Sequence, residues 1–338
     1  RYHLLLSSTA FKRDLADPKT IEDFVGQVQS PERLRLLLIL TVVDIRAVGP
    51  NVWNDWKRTL LRGLFEAAEE RLRLGHKQHG RSELVEERRA ALAAELGWKP
   101  SIAKAYARRL PDSYWLAETM AWQIANARQI AGAEARIGEA RPNVEIADDP
   151  DSSATRVSIF TPDRDGLFHR ICAGLAGAGA NILDARIHTT RDKMALDNLL
   201  VLNGQGRPYS DRRLRARLER AVKASLESER PPALPQWPSD ADSTKAFSVA
   251  ASVAISDKAS SRTTVAEVNA RDRPALLARL TAAIHALGHR IHSAHIATYG
   301  ERAVDVFYLT RKDGRKLSAT DSAALRASLL DAASAPDS

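Results

Sequence analysis

The chain has 338 residues, 44% of them hydrophobic, and a formal net charge of +8. That length supports two or three domains, each with its own core, and no apolar run approaches the roughly 20 residues of a membrane-spanning helix. The positive charge does not by itself argue for nucleic acid, because arginines interleave with glutamates along helical faces, as in Glu83-Leu84-Val85-Glu86-Glu87-Arg88-Arg89.

Residues 1–140 read as almost entirely helical. Pro31 suits a first helical turn, where its missing N–H is not needed, and the apolar run 34–43 behind it is expected to be buried. Gly49-Pro50-Asn51 interrupts the run, with Asn51 placed to cap the next helix. In that helix Trp53, Trp56, Leu60, Leu64, Ala68 and Leu72 recur three or four apart and make one apolar stripe. Residues 76–81 read as a loop and 82–96 as a helix stopped at Gly97, with Pro100 beyond. After Pro111-Asp112, residues 116–135 read as one further helix.

The texture changes at 141–153, which is rich in Asp and Pro and reads as a linker. Beyond it strands are expected at 156–161, 183–188 and 195–202, and helices at 166–178 and 211–226. The pattern then repeats: Asp163-Arg164 returns as Asp272-Arg273, an offset of 109 (272 minus 163). At that offset Leu167 matches Leu276, Ile171 matches Leu280, Gly179 matches Gly288, Ile182 matches Ile291 and Ile187 matches Ile296. One residue shorter, Asp197 matches Asp305. The expected plan is α+β: a helical part at 1–75, a helical connector and linker at 76–150, and two βαββαβ ferredoxin-like units at 151–229 and 262–334. A linker at 230–245 separates the units. The Val249/Ala251/Val253/Ile255 alternation, within 246–256, is expected to return as the fourth strand of the first unit.

The turns Asp163-Arg164-Asp165-Gly166-Leu167 and Asp272-Arg273-Pro274-Ala275-Leu276 resemble the Asp-Arg-Pro-Gly-Leu turn of the ACT domain family. Gly179-Ala180-Asn181-Ile182 resembles its Gly-x-Asn-Ile at the start of the second strand. ACT domains are βαββαβ modules that commonly bind amino acids and control attached enzymes. The resemblance implies ligand contacts at Asp163, Gly166, Asn181 and Ile182, with Asp272, Ala275, Arg290 and Ile291 as the second set. The physics is readable without the family: backbone N–H groups at a helix start stabilise a carboxylate, glycine allows close approach, and Asn181 offers donors and an acceptor. The plainer reading is that these residues only close a turn. Ala275 in place of Gly is expected to crowd a ligand, which favours the first turn as the better-formed pocket.

A wider resemblance runs through Tyr2-His3-Leu4-Leu5-Leu6-Ser7-Ser8-Thr9-Ala10 and through 44–62, which opens Asp44-Ile45-Arg46-Ala47-Val48-Gly49-Pro50-Asn51-Val52-Trp53. Both are similar to the family of bifunctional uridylyltransferase and uridylyl-removing enzymes, in which a nucleotidyltransferase domain, an HD-type phosphohydrolase domain and two ACT domains follow in order. The resemblance implies the regulatory end of an enzyme that moves UMP from UTP onto the nitrogen-signalling protein PII and hydrolyses it off. It also implies glutamine as the effector at the ACT pair and Mg2+ or Mn2+ in the parent enzyme. Asp44 is then the last metal ligand of an HD remnant and His3 an additional one.

The sequence holds no Gly-Ser dipeptide to grip a triphosphate and no adjacent His-Asp pair for an HD metal, so the chain alone is expected to be inactive. Arg1, in place of a starting Met, fits an excerpt of a longer chain. His285, His289, His292 and His295 fall on a helix, a turn and a strand, where a shared metal is not expected. The single cysteine, Cys172, reads as a core residue in a protein of the reducing cytoplasm. The ACT copies are expected to pair within the chain or between chains. Two other readings stand beside this one. An alarmone synthetase/hydrolase also joins an HD to an ACT domain, but two ACT copies and the lack of a Thr-Gly-Ser-type module argue against it. A non-catalytic interaction module using the basic surface would bind nucleic acid with steep salt dependence.

Overall fold

The structure, a computed structural model, describes residues 4–15, 17–48, 55–74, 79–135, 142–149, 153–228, 250–299 and 302–334. The chain divides into two compact units. The first takes residues up to 138 together with 150–152 and 188–194, and the second takes the rest.

The first unit is helical. Its helices α1 (Leu5–Lys12), α2 (Pro18–Val28), α3 (Pro31–Val48) and α4 (Asp55–Leu74) share a core that includes Leu6, Phe11, Phe24, Leu34, Leu61 and Leu64. Asp17 caps α2 by accepting the Lys19 N–H at 3.0 Å, with Pro18 in the first turn. Burial of 34–43 holds on one side only. Leu34, Leu37 and Thr41 are buried, whereas Leu36 and Ile39 are each 61% exposed and Leu40 and Val43 are exposed too. A helix has more than one face, and α1, α2 and α4 cover only one face of this largely apolar run. The break at 49–51 and the side chains of Trp53 and Trp56 lie outside the described residues, while Leu60, Leu64 and Ala68 of the same stripe are buried.

Helix α5 (His79–Glu95) begins earlier than the loop reading of 76–81 allows, and 75–78 lie outside the described residues. It ends at Gly97, whose φ of +61° lets the Trp98 N–H reach Ala93 O at 2.9 Å. A short helix, α6 (Pro100–Arg109), follows without having been expected. The single helix expected at 116–135 is two, α7 (Asp112–Ala117) and α8 (Met120–Glu134). The break has a cause: the Thr119 hydroxyl accepts the Trp122 N–H at 3.4 Å and caps α8. Beside the cap, the fully buried Glu118 carboxylate lies 2.9 Å from His188 Nε2. Tyr114 packs its ring edge-on to His188 at 5.2 Å and to Trp115 at 5.4 Å.

The second unit holds both copies of the repeat. Strands β1 (Asn143–Asp149) and β2 (Ala154–Pro162), helix α9 (Leu167–Gly177), strands β3 (Ala180–Thr189) and β4 (Met194–Asn203) and helix α10 (Arg212–Glu227) form the first. Strands β5 (Ser252–Ser256) and β6 (Thr264–Arg271), helix α11 (Leu276–Ala286), strands β7 (Arg290–Tyr299) and β8 (Arg302–Thr310) and helix α12 (Ala319–Ser334) form the second. The two sheets have the same order, β1-β2-β4-β3 and β5-β6-β8-β7.

One expectation about the strands is corrected here. The alternation ending at Ile255 does make a strand, β5, but it pairs antiparallel with β6 of the second copy, Val253 opposite Val268. It does not return to the first sheet. The equivalent edge there is taken by β1, which forms inside the stretch read as a linker and pairs with β2, Val144 opposite Ile159. Each unit is therefore ββαββα. The reason is locality: a hairpin between adjacent strands closes a short loop, and a shorter loop costs less entropy to close than a return across the segment 229–249. The linker expected at 230–245 lies outside the described residues.

The copies also repeat their internal hydrogen bonds. The Thr155 hydroxyl accepts the Tyr209 N–H at 2.7 Å, and its counterpart Thr264 accepts the Leu317 N–H at 3.0 Å. Arg164 donates to Leu226 O at the end of α10, and Arg273 donates to Ala332 O near the end of α12 at 2.9 Å. The motif arginine thus ties its turn to the carbonyls of the last helix, in keeping with a cation at a helix C-terminus. Helices α9 and α11 pack together, so the two copies share one core that runs through Ile171, Leu175, Leu280, Ile284, Leu199 and Phe307.

Replacing Leu280, fully buried on α11, by Ala is expected to cost about 2–5 kcal/mol. Leu287→Ala, at a position 37% exposed, is expected to stay within about 0.5 kcal/mol. Urea denaturation of the two variants separates these outcomes.

Candidate functional site

The two motif turns do the same thing to the backbone. Gly166 sits at φ +75° in front of α9 and Ala275 at φ +60° in front of α11, and neither helix has a side-chain hydrogen bond at its cap. The left-handed conformation is easy for glycine and strained for alanine. First-turn N–H groups of both helices are therefore left without a capping side chain.

The shared core brings the turn of each copy opposite the start of the second strand of the other. On one side Asn181 and Asp272 come together in the wall of one cavity. On the other, Arg290 Nη2 lies 3.0 Å from Asp165 Oδ1, with Lys312 Nζ at 3.8 Å from the same carboxylate. The residues singled out in the sequence thus regroup across the copies. Asn181 and Ile182 join Asp272 and Ala275, while Arg290 joins the turn that holds Asp163 and Gly166. Ile291 is half-buried behind Arg290, and Asp163 is exposed.

A cavity lies on the first of these sides. Asn181, Ile182, Asp272, Ala275, Ala176 and Asp305 are among the residues that line it. It deepens from the exposed Asn181 past the half-buried Asp272 to Asp305, which is 2% exposed and whose Oδ1 has no hydrogen-bond partner among the described residues. Burial, reinforced by the nearby Asp272, pushes the Asp305 carboxyl up to about 8. Burial also raises Asp272, against the influence of Asn181. The other side is filled: a Cβ built on Gly166 would fall 2.6 Å from the His285 ring. The expectation that Gly166 marks the roomier pocket and Ala275 the crowded one is therefore reversed, because the space is set by the neighbouring helix and not by the turn residue.

Asp305 was recognised in the sequence only as a marker of the repeat. A signal was there: an acid amid Ala303-Val304-Asp305-Val306-Phe307, where Val304, Asp305 and Val306 are all buried. The other candidates lie apart. Asp44 is exposed on α3, and His3 lies outside the described residues. Among the described residues no group of three or more His, Cys, Asp or Glu comes together as a metal site. His285 stacks on His169 at 5.9 Å, His292 Nε2 lies 2.7 Å from Thr310 Oγ1, and His295 packs against Tyr308 at 5.6 Å. Cys172 is fully buried in the shared core, where burial raises its thiol. No described helix is long and apolar enough to cross a membrane.

Several known proteins similar to this chain share a name. A bifunctional uridylyltransferase/uridylyl-removing enzyme of Novosphingobium aromaticivorans is 50% identical over 319 residues, which cover 94% of this chain and 34% of that protein. Enzymes of the same name from Erythrobacter litoralis and Zymomonas mobilis are 48% and 45% identical, over 98% and 94% of this chain and 36% and 34% of theirs. The chain belongs with the carboxy-terminal third of bifunctional uridylyltransferase/uridylyl-removing enzymes. It spans about a third of the length of these relatives. No family model matches it. With two four-stranded sheets in tandem behind a helical part, the chain has the α+β plan and tandem ACT-like units that the sequence indicated.

The Asp305 carboxyl yields a pH signature. Its value of about 8 in the fold exceeds the ordinary 3.8, so the protonated acid favours the fold fully below about pH 4. That contribution falls as pH rises toward 8 and is level above it. Asp305→Asn removes the titration. Relative to the parent, its unfolding temperature is expected to be several degrees more favourable at pH 9 than at pH 5, as followed by circular dichroism.

Proposed function

We propose that this chain is the regulatory portion of an enzyme that transfers UMP from UTP to PII and hydrolyses it off again, with glutamine read by the ACT pair. One observation carries the sensing role: two uncapped helix starts are each held against the partner copy, and a cleft with a buried acid opens beside one of them. Such a cleft offers amides to an α-carboxylate and carboxyl groups to an α-ammonium, the two charged groups every free amino acid carries. The names of the relatives support the parent reaction and its reversal.

Control follows from the shared core. A ligand that touches both copies binds the paired arrangement better than any other, and that difference in affinity is what it can pass on to an attached catalytic domain. The divalent ion of the parent enzyme finds no complete site among the described residues: Asp44, exposed on α3, is the one implied ligand among them. No catalytic step is assigned to this chain.

L-glutamine at a hundredfold its Kd is expected to stabilise the 338-residue chain by about 2.7 kcal/mol. Titration calorimetry and thermal unfolding both read this. Millimolar glutamine that produces neither heat nor a thermal shift would remove glutamine sensing. The same preparation, given UTP, a divalent ion and PII, is expected to transfer no UMP, and measurable transfer would place an active site within it.

A further inference from the structure

The hairpin that joins β3 to β4 is set apart from the rest of its copy. Its end, residues 188–194, belongs to the helical unit, whereas the remainder of both strands belongs to the second unit. The second copy gives the helical unit none of its described residues. The copies also differ in sequence at this place: at the offset of 109, His188 corresponds to Ala297, which has no ring nitrogen to offer. Hydrogen bonds of its own hold the turn in one shape. The Thr190 N–H donates to Met194 O at 2.8 Å, the Met194 N–H donates to the Thr190 hydroxyl at 2.8 Å, and Lys193 takes a φ of +61°.

Three helices of the same unit grip this tip. On α6, Arg109 O accepts the Arg191 N–H at 2.8 Å. The Arg109 guanidinium bridges Asp192, at 2.8 Å, to Glu134 at the end of α8, at 2.5 Å. On α7 the Tyr114 ring meets His188 edge-on at 5.2 Å, and the Tyr114 hydroxyl lies 3.2 Å from Asn126 Oδ1 on α8. At the break between α7 and α8, His188 Nε2 lies 2.9 Å from the Glu118 carboxylate, with side chains 6% and 0% exposed. Glu118 O in turn accepts from Gln123 Nε2 at 3.0 Å and from Arg88 Nη1 at 3.2 Å. A carboxylate shut away from water depends on the partners it keeps.

We infer that residues 188–194 are a mechanical relay, through which the shape of the first copy is imposed on the α7–α8 corner, with His188 against Glu118 as its fixed point. Strands β3 and β4 are neighbours in their sheet, so they shift together, and a tip held by three helices passes such a shift on. His188 is a positioning residue, and no chemistry is assigned to it. The relay is the same whichever ligand the repeat takes, so it does not rest on the sensing role proposed above.

Hydrogen exchange of the 338-residue chain, read by mass spectrometry, tests this from both ends, because a coupling free energy is reciprocal. His188→Ala is expected to speed exchange of the amides of 114–123 at least about tenfold, as for loss of a hydrogen bond to a charged group. His188→Gln keeps an N–H donor and is expected to restore most of that protection. From the other end, Glu118→Ala is expected to speed exchange in β3 and β4 beside the hairpin at least about threefold, and the double variant to exceed neither single. If far-ultraviolet circular dichroism shows that His188→Ala does not fold, Asp192→Ala decides instead. Its side chain is 46% exposed, and its loss is expected to speed exchange at 106–115 about twofold. Unchanged exchange at 114–123 in His188→Ala, a response on one side of the pair only, additive effects in the double variant, or an unmoved 106–115 in Asp192→Ala would each overturn the relay.

Discussion

The packing of α9 on α11 is the constraint from which the rest of the second unit follows. Neither four-stranded sheet with its two helices has to bury its helical layer alone, because each covers the other and one core results. The contact also obeys the internal repeat. Cys172 on α9 and Thr281 on α11, equivalent positions of the two copies, are both fully buried where the helices pack, in keeping with an approximate two-fold arrangement. Once the helices meet in this way, the turn in front of each must face the second strand of the other copy. The cleft of Asn181, Asp272 and Asp305 is lined from both copies.

That geometry explains why the motif residues divide their work. The arginines of the two Asp-Arg turns reach the ends of α10 and α12 and are structural. The following residue with positive φ aims the helix start at the partner copy. What occupies the space in front of it is decided by a side chain from elsewhere, His285 on one side and Ala176 on the other. Asp305 at the base of the open cleft is a carboxyl held near its neutral form by burial. Such a group is a poor contributor to stability once ionised, unlike the helix-cap acid Asp17, whose charge is met by a backbone N–H.

The helical unit has a different character. Its core is well formed around α1, α2 and α4, and the Glu118–His188 pair lies buried within the same unit. A buried pair of this kind contributes specificity of arrangement more readily than net stability. Helix α3, by contrast, presents Leu36, Ile39, Leu40 and Val43 to solvent, with the exposed Asp44 directly after them.

Periodicity and the 109-residue offset were enough to read the α+β plan, the two copies and most of their strands and helices, since these depend on local spacing. The motif turns were legible too, because a tight turn leading into a helix leaves a recognisable run of residues. Three features were not legible. The sheet that β5 joins depends on which edge is nearest in space, and alternation alone is the same for either edge. The break at Glu118–Thr119 depends on a cap and a buried partner 70 residues away. The roles of His285 and Ala176 depend on helix-to-helix packing, so a glycine in one turn was covered while an alanine in the other was left open. Sequence by itself determined the modules and their order, because propensity and pattern act over a few residues. Tertiary structure decided which module faces which and where room remains, because those follow from contacts between residues about a hundred positions apart.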